Sequence, residues 1–334
     1  MLGYVVRRII VMIPTLFAIS AISFAIIQLP PGDYLTTLLM EAQSRGGEGG
    51  YDLGYINYLK ERYALDRTVF EQYFFWLGNV LQGDFGYSLE YRAPVTEIVG
   101  DRLFLTVVVA FATTLFIWIV AFPIGIYSAV NQYRFGDYAL TFLGFLGFAV
   151  PNFLLALLLL YYANVWFGTS IGGLMDPQFV DQPMSWEKFL SVLEHLWIPV
   201  IVIGTSGTAA MIRRLRANLL DELQKQYYLT AIAKGLPPRR ALVKYPVRMV
   251  LNPFISDLGN ILPDLISGAT IVSIVLGLQT TGPLFLSALQ SQDMYMAGSF
   301  VLWLSVLTVI GVLISDLLLA VLDPRIRLGE GAAR

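Results

Sequence analysis

Long uncharged apolar runs alternate along this chain with shorter charged stretches. A helix needs about 20 apolar residues to cross a bilayer core of ~30 Å. The pattern predicts six such spans, at residues 1–29, 103–130, 138–167, 196–211, 254–278 and 299–322. In the first, Arg7 and Arg8 precede the charge-free run Ile9–Leu29. That run exceeds the ~7–15 residues of a signal-peptide core, and no small-x-small cleavage site follows it, so it reads as a retained anchor kinked at Pro14. Residues 30–102 read as a hydrophilic external loop with short helices, among them an aromatic-rich helix over Glu71–Leu81. Residues 103–322 form the core transmembrane domain, interrupted by a cytoplasmic loop at 212–253, and 323–334 are a cytoplasmic tail.

Charge sets the orientation. Lys and Arg resist translocation, so loops rich in them stay in the cytoplasm. Nine basic residues crowd the stretch from Arg213 to Arg248, opposed only by Asp221 and Glu222. Arg7, Arg8, Arg134, Arg325, Arg327 and Arg334 fall on the same predicted side, which puts both termini inside. The first external loop instead carries eleven acids against six bases, and the loops holding Asp176, Asp181, Glu187, Glu194 and Asp293 are also expected outside.

The basic loop is too patterned for a tether. Leu219, Leu220, Leu223, Tyr227, Thr230 and Ala231 recur at helical spacing and predict one apolar helix face. Gly235 would stop that helix, and Pro237 and Pro238 suit the start of a short second one through Arg239, Arg240 and Lys244. On charge alone, a loop that only fixes topology stays open beside a docking surface.

The run Tyr227–Leu236, with Pro253 eighteen positions after Gly235, resembles the "EAA" loop of ABC-importer permeases, most closely the dipeptide/oligopeptide permease family. Further matches to that family are Leu29–Asp33, Tyr63–Arg67, Gly83–Ser88, Phe122–Gly125, Val150–Phe153 and the terminal Val321–Leu328. The resemblance implies an all-α membrane protein with the type I importer fold and about six transmembrane helices. It implies ATPase coupling through Thr230, Ala231, Lys234, Gly235, Leu236, Arg239, Arg240 and Lys244. It also implies a second homologous permease subunit, two cytosolic ATPase subunits and an extracytoplasmic solute-binding protein as partners, in the inner or plasma membrane. Leu229 departs from a usual basic residue, Tyr245 from a histidine and Ser273 from a glutamate, and Gln279–Gly282 replaces a "PGLG" turn. Those last changes put the solute in question rather than the family.

Composition removes other chemistries. The chain has no cysteine and one histidine, His195, so thiolate sites, disulfides and a His-based metal cluster are out of reach. His195, beside the fourth span, reads as structural rather than pH-sensing. No G-x-x-x-x-G-K-[ST] loop is present, so any ATP and Mg belong to partner subunits and the chain itself needs no cofactor. Neither an acid/base pair nor a nucleophile set can be assembled, and the net charge of −2 gives no reason to expect nucleic acid. What remains are polar residues inside spans, which mark water-filled paths or helix contacts. Asp264, Ser267, Thr270 and Ser273 on the fifth span are the candidate path wall, while Asp316 in the sixth reads as structural. Peptides are the leading solute class, with an oligosaccharide or another small solute as the alternative. A proton-coupled carrier using Asp264 or Asp316 is the rival mechanism, and a scaffold with no path is a third.

Overall fold

A computed structural model describes residues 2–28, 67–88, 90–91, 93–167, 172–180, 182–183, 185–291 and 293–322. The glycine-rich tip at 46–50, the segments Leu29–Asp33 and Tyr63–Asp66, and the signature after Leu322 lie outside them. The chain divides into two compact units, one built on Leu105–Pro283 with the chain from Ile310, the other on Val6–Phe104 and Leu284–Val309.

Helices dominate both units: α1 Leu2–Gln28, α2 Val69–Leu81, α3 Val95–Val130, α4 Phe135–Ala149, α5 Asn152–Phe167, α6 Trp186–Leu223, α7 Gln226–Ala233, α8 Pro238–Leu242, α9 Arg248–Ser256, α10 Ile261–Val275, α11 Thr281–Gln290 and α12 Met294–Leu322. The described strands are the two-residue pair β1 Tyr87–Ser88 and β2 Ala93–Pro94. Among the described residues four helices are long and apolar enough to cross a membrane, or five if α4 and α5 count as one bent span.

Three segments differ from the apolar pattern. The stretch expected as a span at 138–167 is two helices bent by 92° at Val150–Pro151. Proline drives its predecessor out of the helical region, and Val150 is extended at φ −82°, ψ 122°. The stretch at 254–278 is broken by a 3-10 turn over Asp257–Asn260. Pro263 has no N–H to return to the Gly259 carbonyl, which favours a break there. The fourth helix runs far past its apolar centre at 196–211. At 38 residues α6 measures roughly 57 Å, beyond the ~30 Å of a bilayer core. Leu215 and Leu219 extend its buried stripe against Ala121, Ala129, Val250 and Phe254. Arg213, Arg214 and Arg216 are therefore helical residues, not loop residues.

The larger unit holds a second apolar core where Val109, Ala156, Ile198, Val202 and Val272 meet. A charged clamp fastens α4 to α6. Arg216 donates two hydrogen bonds, of 3.0 and 2.8 Å, to the Asp137 carboxylate, and the Tyr133 N–H adds a third at 3.0 Å. Asp137 is 2% exposed, and Tyr133 takes the rare φ of +64° that brings its N–H there.

In the smaller unit, Phe24, Tyr73, Trp76 and Leu302 form the core. Helix α2 opens on a capping box: Glu71 N–H donates to Thr68 Oγ1, while the Thr68 N–H and hydroxyl donate to the Glu71 carboxylate. Those bonds, the backbone one first, hold the Glu71 carboxyl below its ordinary range. The segment Gly83–Ser88 is pinned to α12. Ser88 Oγ donates to Asp293 Oδ2 at 2.6 Å, Ser299 Oγ donates to the Phe85 carbonyl at 2.8 Å, and the Phe85 and Trp303 rings lie 4.6 Å apart. Asp293, expected in an external loop, is fully buried and also accepts from the Glu90 and Met296 N–H groups. In the larger unit Lys188 is likewise buried, donating to the Gln182 carbonyl at 2.6 Å.

Candidate functional site: the α7–α9 segment and the cavities above it

The segment after α6 is a sequence of short helices whose junctions follow from its residues. The periodicity across Leu219 to Ala231 does not make one helix. It breaks at Gln224, and extended Lys225 restarts the chain as α7. Helix α7 ends in a Schellman motif: Leu236 N–H bonds to the Ala231 carbonyl at 3.1 Å and Gly235 N–H to the Ile232 carbonyl at 2.8 Å. The motif needs a left-handed residue, and Gly235 supplies it at φ +86°. Pro238 then starts α8 at a position where a missing N–H costs nothing. Pro246 sits inside the π turn Val243–Val247, where it cannot complete an ordinary helical bond.

This segment presents a mixed surface. Thr230, Lys234, Gly235, Arg239, Arg240 and Lys244 are exposed, while Ala231 and Leu236 are half-buried at the turn. Between the charges, Leu229, Ile232 and Val243 are exposed apolar side chains, Val243 at 65%. Ala241 is fully buried and fixes α8 to its support. Tyr245 packs between the Tyr227 ring, 6.2 Å away, and the Lys244 ammonium, 5.4 Å away. The Tyr227 hydroxyl donates to the Glu222 carboxylate and ties α7 back to α6.

The segment is fastened further along to two other helices. Arg248 donates through Nε and NH2 to the Leu322 carbonyl at the end of α12, at 3.2 and 2.7 Å. Asp257, just past α9, pairs with Arg214 on α6. The sequence reading gave neither tie, because each joins residues far apart in the chain.

Beside α6 and α9 lies a cavity of about 540 Å³ with a mostly apolar lining that includes Thr114, Arg213, Arg214, Asp257 and Asp264. A second cavity of about 280 Å³ adds Thr113, Asn152 and Ser206. Asp264 lines both. Asn152 Nδ2 donates to Ser206 Oγ at 3.2 Å, so a polar pair faces this space from α5 and α6. The four candidate wall residues are placed differently. Ser267 lies on α10 between Asp264 and Thr270, and Ser273 is 6% exposed. Thr270 lies against Gly282, where a Cβ would stand 2.8 Å from its Oγ1. Neither Thr270 nor Ser273 lines these two cavities.

The turn at Gln279–Gly282 packs inside the same unit. Gln279 Oε1 accepts from the Leu174 N–H at 3.3 Å, and both the N–H and hydroxyl of Thr281 lie 2.9 Å from Thr106 Oγ1. His195 is held in the same unit, with Nδ1 2.8 Å from the Ser191 carbonyl and Nε2 3.8 Å from Asp176.

The arrangement is a helical membrane unit with a mostly apolar cavity that carries a few polar groups, and an exposed basic and apolar helical turn tied to helices of the same unit. Among the described residues no group of three His, Cys, Asp or Glu side chains could hold a metal ion. The family model for binding-protein-dependent transport system inner membrane components matches residues 121–328. The chain is 32% identical to the oligopeptide transport system permease protein AppB of Bacillus subtilis, over 98% of this chain and 99% of that protein. It is 28% identical to the dipeptide transport system permease protein DppB of Escherichia coli K12 over the same shares. To the inner membrane ABC transporter permease protein YejB of Escherichia coli O157:H7 it is 30% identical, over 97% of this chain and 98% of that protein. The chain belongs to the family of binding-protein-dependent transport system inner membrane components. It is a multi-pass membrane transport subunit with the type I ABC permease fold.

Proposed function

We propose that this chain is one permease half of an ATP-driven importer of di- and oligopeptides. End-to-end similarity to AppB and DppB, both peptide permeases by name, is the observation that carries the solute class. The exposed turn at Gly235 carries the coupling assignment. In this reading both termini face the cytoplasm, and two cytosolic ATPases, which bind the ATP and Mg, seat on α7 and α8. Leu229, Ile232 and Val243 supply apolar contact, and Lys234, Arg239, Arg240 and Lys244 supply charge. A second homologous permease completes the pore, and an extracytoplasmic solute-binding protein delivers the peptide.

Ala241 and the Tyr227–Tyr245 packing make the α7–α8 turn a firm handle rather than a floppy loop. A push on it reaches α12 through Arg248 and α6 through Asp257. The cavity walls then rearrange around Asp264, and the path opens to alternate sides as the ATPases close and reset. This subunit breaks no covalent bond.

The coupling test is co-purification of ATPase with the intact chain and with the pair Gly235→Asp and Arg239→Glu. The wild type should retain ATPase and the variant, still inserted in the membrane, should lose it. Equal retention by both would reject the docking surface.

A further inference from the structure

Of the three arginines on α6, Arg213 is the one that the fold leaves without an anion. Arg214 pairs with Asp257 and Arg216 with Asp137, whereas among the described residues no carboxylate holds Arg213. Its guanidinium lies instead 5.9 Å from the centre of the Phe148 ring on α4, near the limit of cation–π range. Arg213 stands nearer the apolar centre of α6 than Arg216, about 4.5 Å further along the helix axis. A guanidinium has only donors to offer, and at that depth its N–H groups call for an acceptor.

A groove of matching chemistry opens beside it. Helices α4 and α6 touch closely at Gly147, where a Cβ would meet Thr205 Cγ2 at 2.8 Å. They are joined again where Arg216 binds Asp137. Between these two fastenings the helices part, and a Cβ on Gly144 would stand 4.0 Å from Ala209 Cβ. The gap is a cavity of about 220 Å³, lined by Phe145 and Phe148 from α4 and by Ala209 and Ile212 from α6. Its other polar side chains are already committed, since the Thr141 hydroxyl and Arg216 both donate to Asp137. Phe145 and Phe148 are 54% and 58% exposed, so the groove is open along its aromatic rim.

We propose that this groove binds an anionic phospholipid, with an acyl chain along Gly144 beside the phenylalanine rings and the phosphate on Arg213. The surroundings argue for that occupant. The chain belongs to a membrane component, the groove wall is hydrocarbon, and its one uncommitted polar group is a cation at the end of an apolar run. A guanidinium receives a phosphate through two parallel hydrogen bonds, and basic pockets between spanning helices favour anionic headgroups. Arg213 also lines the larger cavity, but Asp257 and Asp264 share that wall and make it the less favourable side for an anion. The inference needs only that the chain spans a membrane, and it stands apart from the importer reading.

The purified chain in detergent is offered equal amounts of phosphatidylglycerol and phosphatidylcholine with the same acyl chains, and retained lipid is counted by native mass spectrometry. The parent should retain one phosphatidylglycerol with about tenfold preference, the scale of one charge-assisted contact. Arg213→Gln should abolish that preference. Arg134→Gln, which removes an exposed cation at the start of α4, should leave it unchanged. Gly144→Leu fills the groove with Arg213 intact, and should lower phosphatidylglycerol retention as far as Arg213→Gln does. Gly144→Val takes its place if the leucine variant fails to reach the parent's melting temperature. Thr114→Leu, on the larger cavity that Arg213 also lines, should retain lipid as the parent does. Equal retention of the two lipids by the parent, full retention by a folded Gly144 variant, or an equal loss in Arg134→Gln would overturn the assignment. So would retention by the single chain that vanishes on assembly with a second permease, because a protein would then cover the groove.

Discussion

Two buried carboxylates define what single residues contribute. Asp137 accepts four hydrogen bonds at 2% exposure, from Arg216 twice, the Tyr133 N–H and the Thr141 hydroxyl, and removing its charge leaves Arg216 without its partner. Asp137→Asn should cost roughly 3 kcal/mol, the scale of breaking a buried pair from one side. Thermal unfolding of the detergent-solubilised protein should show the loss, and a melting temperature equal to the parent's would contradict it. Asp293→Ala should likewise destabilise the smaller unit, by about 2 to 3 kcal/mol, as Ser88 and two backbone N–H groups lose their acceptor. Limited proteolysis near Gly83–Ser88 should then speed up, while cleavage near α7 stays at the parent rate. Neither role was legible in the sequence. An acid in a polar stretch between apolar runs reads as solvated, and only the fold brings Ser88 to Asp293 or Arg216 to Asp137. The residues that could be read were those with strong local demands, above all Gly235, whose left-handed turn follows from its neighbours alone.

Elements were legible where local chemistry decides them. The apolar run of the first helix, the glycine stop after α7 and the proline start of α8 all follow from short-range rules. Where packing competes with those rules, the sequence pattern misplaced the ends. Helix α6 continues through three arginines because Leu215 and Leu219 keep a buried stripe beneath them. The apolar stretch at 138–167 gave no sign in its hydropathy that Pro151 would bend it by 92°. A prediction at this scale concerns the α7 turn. Gly235→Ala forces a Cβ into positive φ and should cost about 1 kcal/mol locally. Hydrogen exchange at the amides of Gly235 and Leu236, which close the Schellman motif, should accelerate, with α3 amides unchanged. Helix α2 offers a pH counterpart. Its Glu71 carboxyl is held below the ordinary range, so its cap contributes fully above about pH 4.3 and is lost as the pH falls through the lowered value. Exchange at the first-turn amides of α2 should therefore rise, relative to those of its last turn, only on acidification below that range.

At the scale of the molecule, the proposed function rests on an exposed turn that is tied to helices lining an internal space. The handle was readable, since exposed charge and turn residues cluster within about thirty residues of sequence. The space was only partly readable. A polar stripe on one stretch of chain suggested Asp264, but the Thr113, Asn152 and Ser206 side chains that share its smaller cavity come from three other helices. No periodicity within one segment can reveal such a convergence. The central claim is that peptide uptake through this subunit is driven by ATPases seated on α7–α8. The most direct measurement reconstitutes the chain with its permease partner, ATPases and solute-binding protein in liposomes, then follows labelled oligopeptide. The account predicts uptake that requires ATP, persists when the proton gradient is collapsed, and disappears with Gly235→Asp and Arg239→Glu as bound ATPase is lost. Uptake that follows the proton gradient, or that survives in the variant with no ATPase bound, would contradict it.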